Sequence, residues 1–162
     1  MNVIAKKYIK LIDAINNIFG YVISIALAFM AIIIFWQVFA RFVMGDSSSW
    51  SEELSRFLMI FMIFIGCSIA VREGRMIAVD VIYERISLKA KKVIKILVHL
   101  ISIVFYITLI NFGYNLAESF GNQIAPGTNI SMYFIYLSIP IGGILLFANS
   151  LANILEEFVG KR

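Results

Sequence analysis

Residues 36–56 read WQVFARFVMGDSSSWSEELSR. The stretch sets a polar, charged turn between two apolar runs. Arg41 stands near the end of one run and Arg56 near the start of the next, with Asp46, Glu52 and Glu53 between them. If both runs are helices, the turn brings the arginines and glutamates to one membrane surface. A charge at the centre of a bilayer costs roughly 2.5–3.5 kcal/mol on insertion scales, and less when it is paired near the interface; this spacing allows the second arrangement. Ser49-Trp-Ser-Glu52 fits the S-x-x-E capping box that opens a helix. Glu52 and Glu53 in a first turn favour the positive end of the helix dipole, and Trp50 stands where an interfacial aromatic sits. The same residues also suit an ordinary capped turn between two spans.

Outward from this turn the chain is apolar almost throughout. Of its 162 residues 61% are hydrophobic and 15% charged, with a mean hydropathy of +0.91. Soluble domains run nearer 45–50% apolar and about 25% charged, so the composition implies an all-α integral membrane protein. A span takes about 20 apolar residues, and the expected spans are 18–43, 52–71, 93–117 and 133–155, all in one membrane domain. Residues 2–17 read as an N-terminal amphipathic interfacial helix: Ile4, Tyr8, Leu11, Ile12 and Ile15 recur at helical spacing, with Lys6, Lys10, Asp13 and Asn17 on the other side. Such a basic segment suits the cytoplasmic leaflet and its lipids; the alternative is an extension of the first span into water. The apolar run after it is too long for the h-region of a cleavable signal.

Loop charge sets the expected topology. The N-terminal segment, residues 72–92 and the C-terminal tail carry nearly all the lysine and arginine, whereas 44–53 and 118–132 carry none. The positive-inside rule then places both termini in the cytoplasm (N-in, C-in), with the 45–53 turn outside. The net charge of +4 follows from these span ends and is not a nucleic-acid signal. Within the spans, Gly20, Ser24 and Ala28 make a small-residue stripe that would let another helix approach, in this chain or another subunit. Asn111 and Asn115 can bond across helices, Pro126-Gly127 marks a turn, and Pro140 should kink the fourth span.

The chemistry is sparse. Cys67 is the one cysteine and His99 the one histidine, so no cofactor or metal site is expected, and His99 reads as a hydrogen-bonded packing residue rather than a ligand. The serines lack a base, and an enzyme is not expected. Every Asp and Glu falls at a predicted span end, whereas proton-coupled carriers need an acid inside the membrane. The spans have the content of a scaffold; the rival reading is a stand-alone oligomeric channel or carrier.

One family resemblance covers most of the chain. Arg41-Phe-Val-Met-Gly45, Trp50-Ser-Glu-Glu53-Leu-Ser-Arg56-Phe57, Gly66, Arg72-Glu-Gly-Arg-Met-Ile77, Val79-Asp80-Val81 and Tyr136-Leu-Ser-Ile-Pro140-Ile-Gly142 together resemble the small, DctQ-like membrane subunit of tripartite ATP-independent periplasmic (TRAP) transporters. It departs at Met76, where many members carry His. The resemblance implies a bacterial inner-membrane protein in a three-part system. A periplasmic substrate-binding protein captures an organic acid, sialic acid or a C4-dicarboxylate. A large DctM-type subunit moves it on a sodium gradient, and the small subunit clamps the large one. On this reading Arg41, Glu52, Glu53 and Arg56 form a structural charge network that fixes the outer turn, and Asp46 and Trp50 are candidates for contact with the binding protein.

Overall fold

The computed structural model describes residues 2–45, 49–74 and 87–159. Helix α1 spans Asn2–Phe39 and passes into a π-helical turn, Ala40–Met44; α2 is Ser49–Glu73, α3 Leu88–Ser119, α4 Met132–Tyr136 and α5 Ser138–Val159. Four helical stretches, Val3–Val43, Ser49–Glu73, Ala90–Ser119 and Met132–Val159, are long and apolar enough to cross a membrane. The four-span, all-α architecture expected from the apolar runs is the one found. Among the described residues the only extended pairing is the isolated bridge between Ile124 and Ser131.

The boundaries differ in instructive places. The expected interfacial helix 2–17 and first span 18–43 are one uninterrupted helix. No proline or capping glycine separates them, and Gly20 alone does not stop a helix. At 38 residues α1 measures about 57 Å, nearly twice the ~30 Å hydrocarbon core, so it must tilt or run past the apolar slab. Gly45, at φ 72°, supplies the left-handed residue that ends the π turn. α2 opens at Ser49 rather than at residue 52, which puts Ser49 inside the first turn instead of at the cap. α3 starts at Leu88, earlier than the expected 93, with the Ser87 hydroxyl accepting from Ala90 N–H at 3.4 Å. Most of the basic 72–92 segment, Met76 included, lies outside the described residues.

The fourth span is broken where its proline requires. Pro140 has no N–H to give Tyr136, and α4 ends at that residue. Leu137 bridges the gap: its N–H donates to Tyr133 O, and its carbonyl accepts from Ile141 N–H. The helix resumes as α5 and becomes the centre of the molecule. In the apolar window of this fourth span 44% of residues are buried, against 6% in each of the first and third. α3 packs along one side of α5, while α1 and α2 pack on the other side and on each other. Val71, Tyr106 and Leu146 form the core of that junction.

Glycine makes the close packing possible. A Cβ on Gly142 would lie 2.5 Å from Phe64 Cβ on α2, and one on Gly143 would lie 2.9 Å from Ile110 Cγ1 on α3. In lipid, where apolar contact between helices has little advantage over contact with acyl chains, such approach is how packing gains its dispersion energy. Among the described residues the stripe on α1 is not used this way. Nothing lies within 4 Å of a Cβ at Gly20, Ser24 and Ala28 are exposed, and the Ser24 hydroxyl turns back to Gly20 O at 2.9 Å.

Candidate assembly interface: an outer clasp and an inner charge node

At the end of the bundle formed by the starts of α2 and α4, the loop between α3 and α4 folds back over the first turn of α2. Glu53 holds it there. Its carboxylate accepts from Gly127 N–H at 3.0 Å, from Thr128 N–H at 2.9 Å and from the Thr128 hydroxyl at 3.1 Å. Hydrogen bonds to an ionised acceptor are about twice as strong as neutral ones, and here they satisfy two loop amides. The loop is itself built. Ala125 N–H donates to Ile130 O and Asn129 N–H to Ala125 O, each at 2.9 Å, with Asn129 in the left-handed region at φ 56°. The Ser131 hydroxyl donates to Gly121 O at 2.8 Å and caps α4 by accepting from Tyr133 N–H. Beneath it Ala125 packs on Phe57 and Ile135. Gly127 rides directly on α2: a Cβ there would lie 2.8 Å from Ser49 C and 2.9 Å from Trp50 N.

The other residues singled out around the outer turn divide. Arg56 pairs with Glu52 at 3.0 Å, one turn apart, with both side chains more than half exposed; such a pair contributes about 0.3–0.5 kcal/mol. Arg41 is exposed in the π turn and, among the described residues, pairs with neither Glu52 nor Glu53. Trp50 is 44% exposed beside the Gly127 contact, and Asp46 lies outside the described residues.

At the opposite end stands a node that sequence reading missed. Arg72, with its side chain only 11% exposed, donates from Nε to Asp13 of α1 at 2.7 Å. Its Nη1 donates to Asn153 Oδ1 and Glu156 Oε2 of α5, both at 2.6 Å. Asn153 returns a bond from Nδ2 to Val71 O at 2.8 Å. The planar five-donor fork of arginine suits this convergence of two carboxylates and an amide. Deeper in, Asn16 and Asn149 exchange reciprocal amide bonds at 2.6 and 3.2 Å, and the Tyr8 hydroxyl donates to Ala148 O at 3.1 Å. Tyr8 and Asn16 stand about 12 Å apart along α1 yet meet adjacent α5 residues, the pattern of helices that cross rather than run side by side. On the α3 side Lys95 pairs with Glu157 at 3.3 Å, and His99 Nδ1 lies 3.2 Å from the buried Ser150 hydroxyl. His99 is thus a packing residue, and among the described residues no cluster of His, Cys, Asp and Glu could hold a metal. Asn111 and Asn115, which can bond across helices, instead lie on the exposed face of α3 and meet no other helix among the described residues.

The architecture is therefore a polar-fastened bundle with no clustered reactive groups among its described residues. The DctQ component family of the tripartite ATP-independent periplasmic transporters matches residues 30–160. The chain belongs to this family. It is a small permease subunit of a TRAP transporter, a multi-pass inner-membrane protein and not an enzyme. It is 28% identical to the sialic acid TRAP transporter small permease protein SiaQ of Vibrio cholerae, over 86% of this chain and 81% of that one. It is 25% identical to the ectoine TRAP transporter small permease protein TeaB of Halomonas elongata, over 79% of this chain and 67% of that one. A third match is the sialic acid TRAP transporter permease protein SiaT of Haemophilus influenzae, 27% identical over 68% of this chain but only 18% of that protein.

Proposed function

We propose that this subunit scaffolds a larger DctM-type membrane subunit that imports an organic acid on a sodium gradient, the acid being delivered by a periplasmic binding protein. The observation that carries the reading is the SiaT match: two thirds of this chain corresponds to under a fifth of a permease. A unit of this kind therefore occurs joined to a much longer permease polypeptide, and on this reading that longer part corresponds to the DctM-type subunit. The polar groups of the bundle support the same view, since the ion pairs of Arg72 and Lys95, the Asn16–Asn149 amide bonds and the Glu53 clasp each tie helices or loops together.

The end carrying Arg72 and Lys95 is cytoplasmic on this reading, and the Glu53 clasp faces the periplasm. Glu52, Glu53 and Arg56 then fix the outer surface in two parts, the Glu52–Arg56 pair on α2 and Glu53 as the anchor of the returning loop, while Arg41 stands exposed in the π turn and takes no part in either. Trp50, exposed beside that surface, and Asp46, four residues earlier in the sequence, are the proposed contacts for the binding protein. Relatives are named for sialic acid and for ectoine, and among organic acids sialic acid and C4-dicarboxylates are the proposed cargo classes.

Co-expression with the larger subunit tests the proposal. A stable stoichiometric complex, and sodium-dependent uptake only when all three components are present, are expected. Solute accumulation by vesicles holding this chain alone would refute it in favour of a stand-alone carrier.

A further inference from the structure

We propose that Arg72 is a positioning residue for assembly: it sets the pose of α1 on the rest of the bundle, and association with the larger subunit depends on that pose. The second half rests on the scaffold reading above; the first does not.

Between described residues, the side-chain hydrogen bonds from α1 to other helices come from Tyr8, Asp13 and Asn16 alone. All three lie in the first 16 residues of a helix that continues to Phe39. Beyond them the helix is held by apolar contact, with Ile33 buried on α1 and Ala40 at the start of the π turn. In lipid such contact discriminates poorly between poses, because acyl chains offer nearly the same surroundings. The polar fasteners must therefore choose the crossing, and Arg72 is the pivot among them. Its guanidinium bonds two helices besides its own, α1 through Asp13 and α5 through Asn153 and Glu156. The same fork that ties α2 to α5 receives α1.

Leverage turns this local contact into a long-range one. Phe39 lies about 39 Å along the helix from Asp13. A swing of ~5° about the node displaces Phe39 by ~3 Å, close to a full carbon–carbon contact distance of ~3.5–4 Å. A surface shaped to meet a partner helix along α1 would not survive that displacement. Lysine cannot replace the fork, since one ammonium does not reach Asp13, Asn153 and Glu156 in their separate directions.

The test uses the complex in nanodiscs, in a Cys67→Ser background, with spin labels on paired cysteines. Leu27→Cys with Val104→Cys reports α1 against α3; Met59→Cys with Val104→Cys reports α2 against α3. All three sites are exposed. Arg72→Gln is expected to shift or broaden the first distance by about 2 Å, the displacement of a ~5° swing at Leu27, about 21 Å along the helix from Asp13, and to leave the second unchanged, because Phe64 against Gly142 still holds α2 on α5. It is also expected to lower recovery of the larger subunit several-fold at equal abundance of the small one, and Arg72→Lys should not rescue it. Asp13→Asn, which leaves the α2–α5 bonds in place, should reproduce the α1 shift. An unchanged α1 distance in both variants overturns the proposal, as does movement of both label pairs, which would mark general loosening. Unchanged recovery alongside a moved α1 overturns the assembly half. If the wild-type chain recovers no larger subunit, the scaffold reading fails and the assembly half falls with it, while the distances still decide whether Arg72 sets the pose.

Discussion

Replacing Gly142 by alanine probes the junction on which the bundle is built. The new Cβ would stand 2.5 Å from Phe64 Cβ, about 1 Å inside the ~3.5 Å at which carbon atoms rest. Both atoms are fixed to helical backbone, so neither can rotate away, and α2 and α5 must part by roughly that amount. Overpacking of this kind costs about 1–3 kcal/mol. Alanine returns up to about 1 kcal/mol over glycine inside a helix, which leaves a net loss of up to about 2 kcal/mol and a deficit of about 1–3 kcal/mol against a variant with the same propensity gain and no clash. Gly20→Ala supplies the internal reference. It carries the same propensity gain and meets nothing within 4 Å, so it should be neutral or slightly stabilising. Thermal or SDS-induced unfolding of the two variants in one detergent, followed by circular dichroism, compares them directly. A Gly142→Ala protein as stable as Gly20→Ala would refute the account of the α2–α5 contact.

Other substitutions follow from the same geometry. Glu53→Ala should speed amide exchange at Gly127 and Thr128 by about tenfold or more, as a local opening no longer resisted by the carboxylate, and should lower uptake in a cell making all three components at normal subunit abundance. Gly127→Ala should loosen the same loop although Glu53 is intact, because its Cβ would press on the Ser49–Trp50 backbone; slow exchange in that variant would count against the contact. Asn16→Ala and Asn149→Ala should be strongly non-additive, with a coupling of about 0.6–1.7 kcal/mol as measured for interhelical hydrogen bonds in membranes. Additive losses would mean that the amides do not depend on each other.

The spans were legible because bilayer thickness acts locally: each apolar run declares its helix without reference to any other. Pro140 was legible for the same reason, since the bond it removes lies within its own turn. The two ends of the bundle were not. Glu53 finds its donors at Gly127 and Thr128, 74 and 75 residues away, and a glutamate in a first turn reads equally well as a dipole partner or a cap. Arg72 looked like one more basic residue marking the inner side; its partners lie 59, 81 and 84 residues away. One signal was present. Asn149, Asn153 and Glu156 fall at spacings that share a helical face, and a polar stripe on an apolar helix asks for partners. The uncovered stripe at Gly20, Ser24 and Ala28 illustrates the converse: spacing shows that a helix can be approached closely, not which one does so.

The central position of α5 has a consequence for how the molecule is made. The ribosome finishes α1, α2 and α3 before the helix they gather around has left the exit tunnel. Until Met132–Val159 is inserted, α3 lacks the helix it packs along, and Asp13 and Arg72 lack the acid and amide that complete their site. A nascent chain stalled before Ser138 would be an α1–α2 pair with an incomplete node and a loose α3, rather than a smaller version of the subunit.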